Sequence, residues 1–300
     1  MKILIAGGSG FLGSAIANTM QLAGHKVWIL TRKKPKHSNE IHWDGKTAGE
    51  WIDRIADMDA VINVTGFGLE HWPWTERQKQ RFHESRVNPG IALVSAIKQS
   101  QNRPEVMLQI SGINFYGTEG ETIADEWTPP GDDFLAQLTV QWEASTQPIE
   151  EMGVRRIIAR TAVVLDSHAG LFPRMVLPVR LFVGGPLGDG RQAMPWIHLA
   201  DQTGALRFLL EDDKTRGVFN LISPTPTSNA TFMRAIAEIL HRPYWLNTPT
   251  FLLKGVLGEM SVLVVEGRYS KPRRLVEYGY KFQYPNIENA VRDLFGRESS

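Results

Sequence analysis

The first fourteen residues constrain the fold more than any other stretch. Lys2-Ile3-Leu4-Ile5-Ala6 reads as a short buried strand. It runs directly into Gly7-Gly8-Ser9-Gly10-Phe11-Leu12-Gly13, a G-x-x-G-x-x-G set that opens an apolar-periodic helix. Gly7 permits the tight turn, Gly10 lets a diphosphate approach the backbone, and Gly13 lets the helix pack close to the strand. The helix N-terminus adds free N–H groups and partial positive charge. Strand before and helix after are the context that turns a glycine pattern into a dinucleotide site, here Gly7, Gly10, Phe11, Leu12 and Gly13. The competing reading is a glycine-rich turn with no ligand.

Strand and helix patterns then alternate. Ile3–Ala6, Lys26–Leu30, Asp59–Val64, Val106–Ile110, Ile157–Arg160 and Val218–Ile222 read as strands, and Ser14–Ala23 as a helix stopped at Gly24. Thr75-x-x-Gln78 looks like a capping box starting a long polar helix, which Pro89 is expected to bend or restart. Such alternation predicts an α/β fold, a Rossmann doubly wound parallel sheet with ligands at the carboxyl ends of its strands. That rule puts Gly7–Gly13, Thr31–Arg32, Thr65–Gly66 and Ser111 on one rim. From Ala169 to Met194 the pattern breaks into a glycine-rich excursion. The expected division is a Rossmann domain of residues 1–168 and 191–224, with a smaller C-terminal substrate lobe of 169–190 and 225–300. The last residues, Glu298–Ser300, are expected to fray.

Composition narrows the chemistry. A chain of 300 residues with 42 % hydrophobic and 22 % charged residues is ordinary for a globular protein with a sizeable core. A net charge of +1 gives no case for nucleic-acid or membrane attraction. With no cysteine, thiolate catalysis, disulfides and cysteine-held metals are excluded. No histidine pair has helical metal spacing, so no metal is expected. The opening apolar stretch is too short for a signal peptide, and a cytoplasmic location is the expectation. After the second strand, an NAD site usually carries an acid for the ribose 2′-hydroxyl. This chain has Thr31-Arg32-Lys33-Lys34 instead. Arg32 can grip a 2′-phosphate with Lys33 or Lys34 adding charge, which favours NADP over NAD. Asp44 is a candidate for the adenine amine.

With these residues in hand, the chain resembles the extended short-chain dehydrogenase/reductase superfamily over nearly its whole length. The resemblance is carried by Gly7–Gly13, Asp59-Ala60-Val61-Ile62-Asn63, Asn88-Pro89-Gly90-Ile91-Ala92-Leu93-Val94, Ser111 with Phe115-Tyr116-Gly117, and Gly188-Asp189-Gly190-Arg191-Gln192 leading to Trp196-Ile197-His198 and Asp201. It is most similar to the atypical epimerase-like subfamily 39U of the NAD-dependent epimerase/dehydratase superfamily. The motifs here are Trp74-Thr75, Ser85-Arg86, Phe134-Leu135-Ala136, Trp142-Glu143, Gly184–Gly188, His241-Arg242-Pro243 and Gly258-Glu259-Met260.

The resemblance implies hydride transfer between nicotinamide and a hydroxyl-bearing carbon. A serine orients the oxygen, a tyrosine exchanges its proton, and a lysine four residues on lowers the tyrosine pKa. A free phenol near 10 is otherwise a poor base at neutral pH. That tyrosine–lysine pair is absent. Aligned on the start of its helix the positions are Phe134 and Leu138; aligned on Glu143 they are Leu135 and Thr139. By resemblance, Ser111 is the oxygen-orienting serine and Asn88 the helix asparagine of a backbone or water relay. Tyr116 is a candidate substitute acid. Lesser candidates are Asp125, Glu126, Arg86, His198, Asp201 (expected to cap a helix near Gln202), Arg191 and Gln192. Trp72, Trp74, Trp142 and Trp196 are candidates for an aromatic-lined pocket. The expected activity is an NADP-dependent oxidoreductase or epimerase on an unknown small molecule, acting as a monomer or as a homodimer through Thr75–Gln99 and Phe134–Ser145. The alternative is a non-catalytic NADP(H) redox sensor.

Overall fold

The apolar runs become buried parallel strands because both of their faces are covered by helices. Ile3, Leu4, Ile5 and Ala6 have no solvent exposure at all. The computed structural model describes residues 1–120 and 122–296; the expectation for Glu298–Ser300 lies outside the described residues. The strands are β1 (Lys2–Ala6), β2 (Lys26–Thr31), β3 (Glu40–His42), β4 (Ala60–Asn63), β5 (Val106–Gly112), β6 (Arg155–Thr161), β7 (Val163–Leu165), β8 (Trp196–His198) and β9 (Gly217–Leu221). The helices are α1 (Phe11–Leu22), α2 (Glu76–Gln99), α3 (Phe134–Ala144), α4 (Phe172–Arg180), α5 (Leu199–Glu211), α6 (Asn229–Ile239), α7 (Thr250–Leu257), α8 (Val262–Val265), α9 (Arg273–Glu277) and α10 (Ile287–Gly296).

Seven strands form one sheet in the order β3-β2-β1-β4-β5-β6-β9, every pairing parallel. The order reverses between β1 and β4, so the glycine turn after β1 sits at the topological switch point. The Rossmann reading holds. Ile3, Ile5, Ile62 and Leu108 meet α1 and α5 on one face; Leu4, Val61 and Met107 meet α2 on the other. The capping box forms, with Thr75 Oγ1 accepting from Gln78 N at 3.3 Å. Pro89 neither stops nor restarts the helix, which runs through it from Glu76 to Gln99. α3 packs on α2 where Gly90 leaves room for Ser145.

β7 and β8 form a separate two-stranded sheet. A second core gathers Leu165, Phe172, Val176, Met194, Trp196, Phe232, Ile236, Val291 and Leu294. Two stretches cross the division expected from sequence. Leu165, Met194 and Trp196 belong to the lobe core, whereas Leu275, Tyr278, Tyr280 and Phe282 pack back on the sheet core. Among the described residues no helix is long and apolar enough to cross a membrane.

Candidate functional site

The turn after β1 is built as its glycines require. Gly7 has φ +83°, a left-handed backbone that side-chain-bearing residues rarely adopt. A Cβ on Gly13 would overlap Gly7 O and lie 2.7 Å from Gly8 Cα, so α1 reaches β1 only because this residue is glycine. Gly10 is exposed, and a Cβ there would meet only Gly7 O, at 3.5 Å. As the N-cap of α1 it offers no side chain, and the first turn holds no acid. The opening N–H groups around Phe11 and Leu12 are therefore uncapped and face solvent-side space, which fits a diphosphate. Thr65 and Gly66 form the adjoining wall at the exit of β4; Gly7 lies 3.2 Å from Thr65 N, measured from its missing Cβ.

Beside this turn lies a cavity of about 490 Å³ whose lining includes Ser9, Thr31, Lys33, Lys34, Lys36 and His37. Thr31 is 3 % exposed and its Oγ1 lies 3.1 Å from Ser9 Oγ, tying the end of β2 to the glycine turn. Arg32 is exposed and lays its stem along Gly45. Of this basic loop, Lys33 and Lys34 line the cavity, whereas Arg32 is not part of its lining. Asp44 is occupied locally: its carboxylate accepts from Lys46 N, Thr47 N and Thr47 Oγ1, bonds that hold its pKa below the usual value.

At the exit of β5 the expected catalytic hydroxyls point inward. Ser111 is 2 % exposed and donates to Glu143 Oε1 at 2.7 Å. Glu143 takes Arg160 in a two-pronged pair, Nε to Oε1 and Nη2 to Oε2, both at 2.8 Å. Arg160 Nη1 donates to the Tyr116 hydroxyl at 3.0 Å, and Tyr116 donates to Asn220 Oδ1 at 2.8 Å. The Arg160 guanidinium also lies 3.2 Å from the Phe115 ring centroid. Burial pulls Arg160 down, but Glu143 and Tyr116 together raise it above its ordinary value. Burial pushes the Tyr116 phenol up to about 12, outweighing Arg160. In this arrangement Tyr116 is not presented as a proton donor: its hydroxyl is walled in, 1 % exposed, and fully bonded.

This shift carries a prediction. An unfolded phenol ionises near ~10. Because the folded value is raised, the contribution of neutral Tyr116 is intact below pH ~10 and is lost as pH rises to about 12. The urea midpoint should therefore fall over that window, and Tyr116→Phe should remove part of the fall. An identical pH slope in the variant would refute the shift.

The two candidate positions of the missing tyrosine, Phe134 and Leu135, line a second cavity. It measures about 420 Å³ and is walled by Trp74, Phe134, Leu135, Gly258, Glu259 and Val262 among others. Leu138 and Thr139 are buried, and Thr139 Oγ1 donates to Leu135 O at 2.7 Å. Gly112 has no side chain; a Cβ there would stand 3.7 Å from Asn114 Oδ1 and 3.9 Å from Thr139 Oγ1. Asn114 is thus a half-buried polar group at the strand exit that sequence reasoning passed over, although it lies in the same loop as Ser111 and Tyr116. Lys79 reaches across from α2, with Nζ 2.6 Å from Glu259 Oε2 and 5.3 Å from the Phe134 ring centroid. The bond to Glu259 raises the Lys79 pKa.

Several of the remaining candidates are engaged within the fold. Asn88 is half-buried on α2. Asp201 does not cap a helix near Gln202: α5 starts at Leu199, His198 Nδ1 accepts from Ala200 N, and the Asp201 carboxylate instead accepts from Gln283 N and Tyr284 N, both at 2.8 Å. Its neighbourhood, with burial first, also raises the Tyr280 phenol. Glu126, raised by burial, accepts from Asn220 N and Arg274 N, while Asp125 faces Lys271 and Arg273. Gln192 bonds Leu187 O and Val264 O within the lobe, and Arg191 is exposed. Of the tryptophans, Trp74 lines the cavity, Trp142 and Trp196 are core, and Trp72 is exposed.

Comparison with known proteins agrees with this geometry. The family described as NAD dependent epimerase/dehydratase matches residues 3–221, and a domain of unknown function, DUF1731, matches 248–294. The Epimerase family protein YfhF of Bacillus subtilis is 33 % identical over 299 residues, covering 98 % of each chain. The mouse Epimerase family protein SDR39U1 is 31 % identical over 298 residues, covering 98 % of this chain and 99 % of that one. The crystal structure of human SDR39U1 with NADPH superposes with a TM-score of 0.90 at 30 % identity, over 98 % of this chain and 99 % of that one. The chain belongs to the NAD dependent epimerase/dehydratase family, in its epimerase-like 39U branch.

Proposed function

We propose that the protein is an NADP(H)-dependent oxidoreductase or epimerase of small molecules, working in the cytoplasm as a monomer or homodimer without nucleic acid or membrane. The observation that carries this reading is the cavity of about 420 Å³ at Phe134 and Leu135, the positions where the superfamily places its tyrosine. The human relative was solved with NADPH, which supports the choice of coenzyme. Gly7, Gly10, Phe11, Leu12 and Gly13 hold the diphosphate through backbone N–H groups, with Thr65 and Gly66 as the opposite wall. Arg32, Lys33 and Lys34 neutralise the 2′-phosphate. The coenzyme, when bound, supplies or accepts the hydride.

The chain's own groups divide the remaining work differently from the superfamily. Ser111 and Tyr116 hold Glu143 and Arg160 in place rather than touching substrate. Asn114, half-buried at the exit of β5, orients the substrate oxygen. Proton exchange passes to Glu259 on the cavity wall, whose Oε2 accepts from the Lys79 ammonium at 2.6 Å. The test uses NADPH carrying deuterium at the transferable position, mixed with the protein and a metabolite extract. Deuterium in a small molecule, read by mass spectrometry, establishes turnover and names the substrate class. Tight NADPH binding without transfer would overturn the catalytic reading.

A second reading, a non-catalytic NADP(H) sensor, is favoured by the engagement of both expected catalytic hydroxyls in a buried network. It requires partner affinity that differs between apo, oxidised and reduced forms; equal affinity in all three would dispose of it.

A further inference from the structure

The two large cavities of this chain carry opposite charge. Among the described residues, the one beside the glycine turn is lined by Lys33, Lys34 and Lys36 against a single acid, Glu40. The one at Phe134 and Leu135 is lined by Asp133, Glu259 and Glu266 against a single base, Lys254. The first attracts phosphates and the second repels them. Charges are screened over ~8 Å at physiological salt. A cavity of about 420 Å³ is of that width, so its wall charges act together on whatever enters.

Two of these carboxylates are open to a ligand. Asp133 spends Oδ1 on Ala136 N, at 2.9 Å, as the cap of α3. Its Oδ2 takes no bond from the described residues. Glu266 meets Lys254 only at 3.7 Å, past hydrogen-bond distance, with the two side chains 41 % and 57 % exposed. A pair so loose and so well solvated contributes little, and a ligand charge displaces it readily.

Aromatic rings face the same space. Trp74 and Phe134 stand edge to face, with centroids 5.9 Å apart and planes at 63°. Trp74 is fixed by its Nε1 bond to Leu69 O at 2.9 Å and by the Phe82 ring, 5.6 Å away. This wall already holds one ammonium. Lys79 Nζ lies 5.3 Å from the Phe134 centroid, with Glu259 at 2.6 Å and Glu76 at 3.3 Å. A ring face backed by carboxylates suits a cation that has left water.

We propose that this cavity receives a cationic amine on an apolar or aromatic frame, its ammonium held by Asp133 and Glu266 beside the Trp74 and Phe134 rings. The same carboxylates turn away phosphorylated and acidic molecules. The proposal rests on the reading of this cavity as the substrate site.

The experiment keeps one frame and changes its end group: phenethylamine, phenethyl alcohol and phenylacetate. Binding to the protein in the presence of NADPH is read by ligand-observed NMR, and phenylacetate and uridine diphosphate are also tried as competitors of the bound amine. The titrations are repeated on Asp133→Asn, Glu266→Gln and Phe134→Leu, with thermal melting as the check on folding. Asn still caps a helix, Gln keeps the size of Glu, and Leu keeps the wall apolar. The amine should bind about ten-fold or more tightly than the alcohol, and neither anion should displace it. In the two carboxylate variants the amine should fall toward the alcohol while the alcohol is unchanged, and Phe134→Leu should weaken the amine several-fold. An amine that binds no better than the alcohol, or that binds both folded carboxylate variants as it binds wild type, overturns the proposal. Deuterium transfer from labelled NADPH separates it from the catalytic reading. Label in an amine supports both. Label in a phosphate or acid that carries no amine keeps the catalytic reading and overturns this one. Selective amine binding with no transfer to any molecule supports this one and overturns the catalytic reading.

Discussion

Glu143→Gln should be among the most destabilising single substitutions in this chain, costing about 3–5 kcal/mol. The side chains of Glu143 and Arg160 are 12 % and 4 % exposed, so their charges cancel in a medium that solvates neither well. Removing one charge leaves the other buried and uncompensated, which is where the cost arises. The effect spreads, because Ser111 donates to the same carboxylate and Tyr116 accepts from the same guanidinium. Replacing both partners, Glu143→Met with Arg160→Met, should recover a large part of the loss, since an apolar pair leaves no stranded charge. Urea unfolding of the two singles and the double gives the coupling directly. A Glu143→Gln protein within ~1 kcal/mol of wild type would mean that the pair is better solvated than its burial implies.

Gly13→Ala should abolish NADPH binding and weaken the fold together. The added methyl would overlap Gly7 O and sit 2.7 Å from Gly8 Cα, both backbone atoms that cannot swing aside. Helix α1 must back away from β1, at a cost of about 1–3 kcal/mol, and its N–H groups leave the diphosphate position. Gly10→Ala provides the contrast, since its nearest atom would be 3.5 Å away. It should fold like wild type while binding NADPH at least about ten-fold more weakly, because the methyl occupies the space the phosphates approach. Fluorescence titration with melting curves separates the two effects. Wild-type affinity in a folded Gly10→Ala would remove Gly10 from the phosphate site.

The sheet was legible because its central strands carry continuous apolar runs of three or four residues with glycine or polar exits. β3, β7 and β8 were not, since three residues each are too few to show a period. The glycine turn was legible because its chemistry is local. The fate of Ser111 was not, because residue type says nothing of which way a strand-end hydroxyl points. The Glu143–Arg160 pair joins α3 to β6, seventeen residues apart, with no local signature. Asp201 was misread for the opposite reason. Its local pattern resembles a cap, but backbone N–H groups more than eighty residues further on claim its carboxylate.

That last contact bears on how the molecule can be taken apart. The two family matches, 3–221 and 248–294, look like a catalytic unit with an appendix. Yet the second stretch threads both hydrophobic interiors, with Leu275, Tyr278 and Tyr280 in one and Val291 and Leu294 in the other. Asp201 fastens the crossing point between them. The second segment has no interior of its own to keep when cut free. The chain should therefore melt as a single cooperative unit, and the lobe can shift against the sheet only by hinging on residues 280–284 rather than by swinging as a separate body.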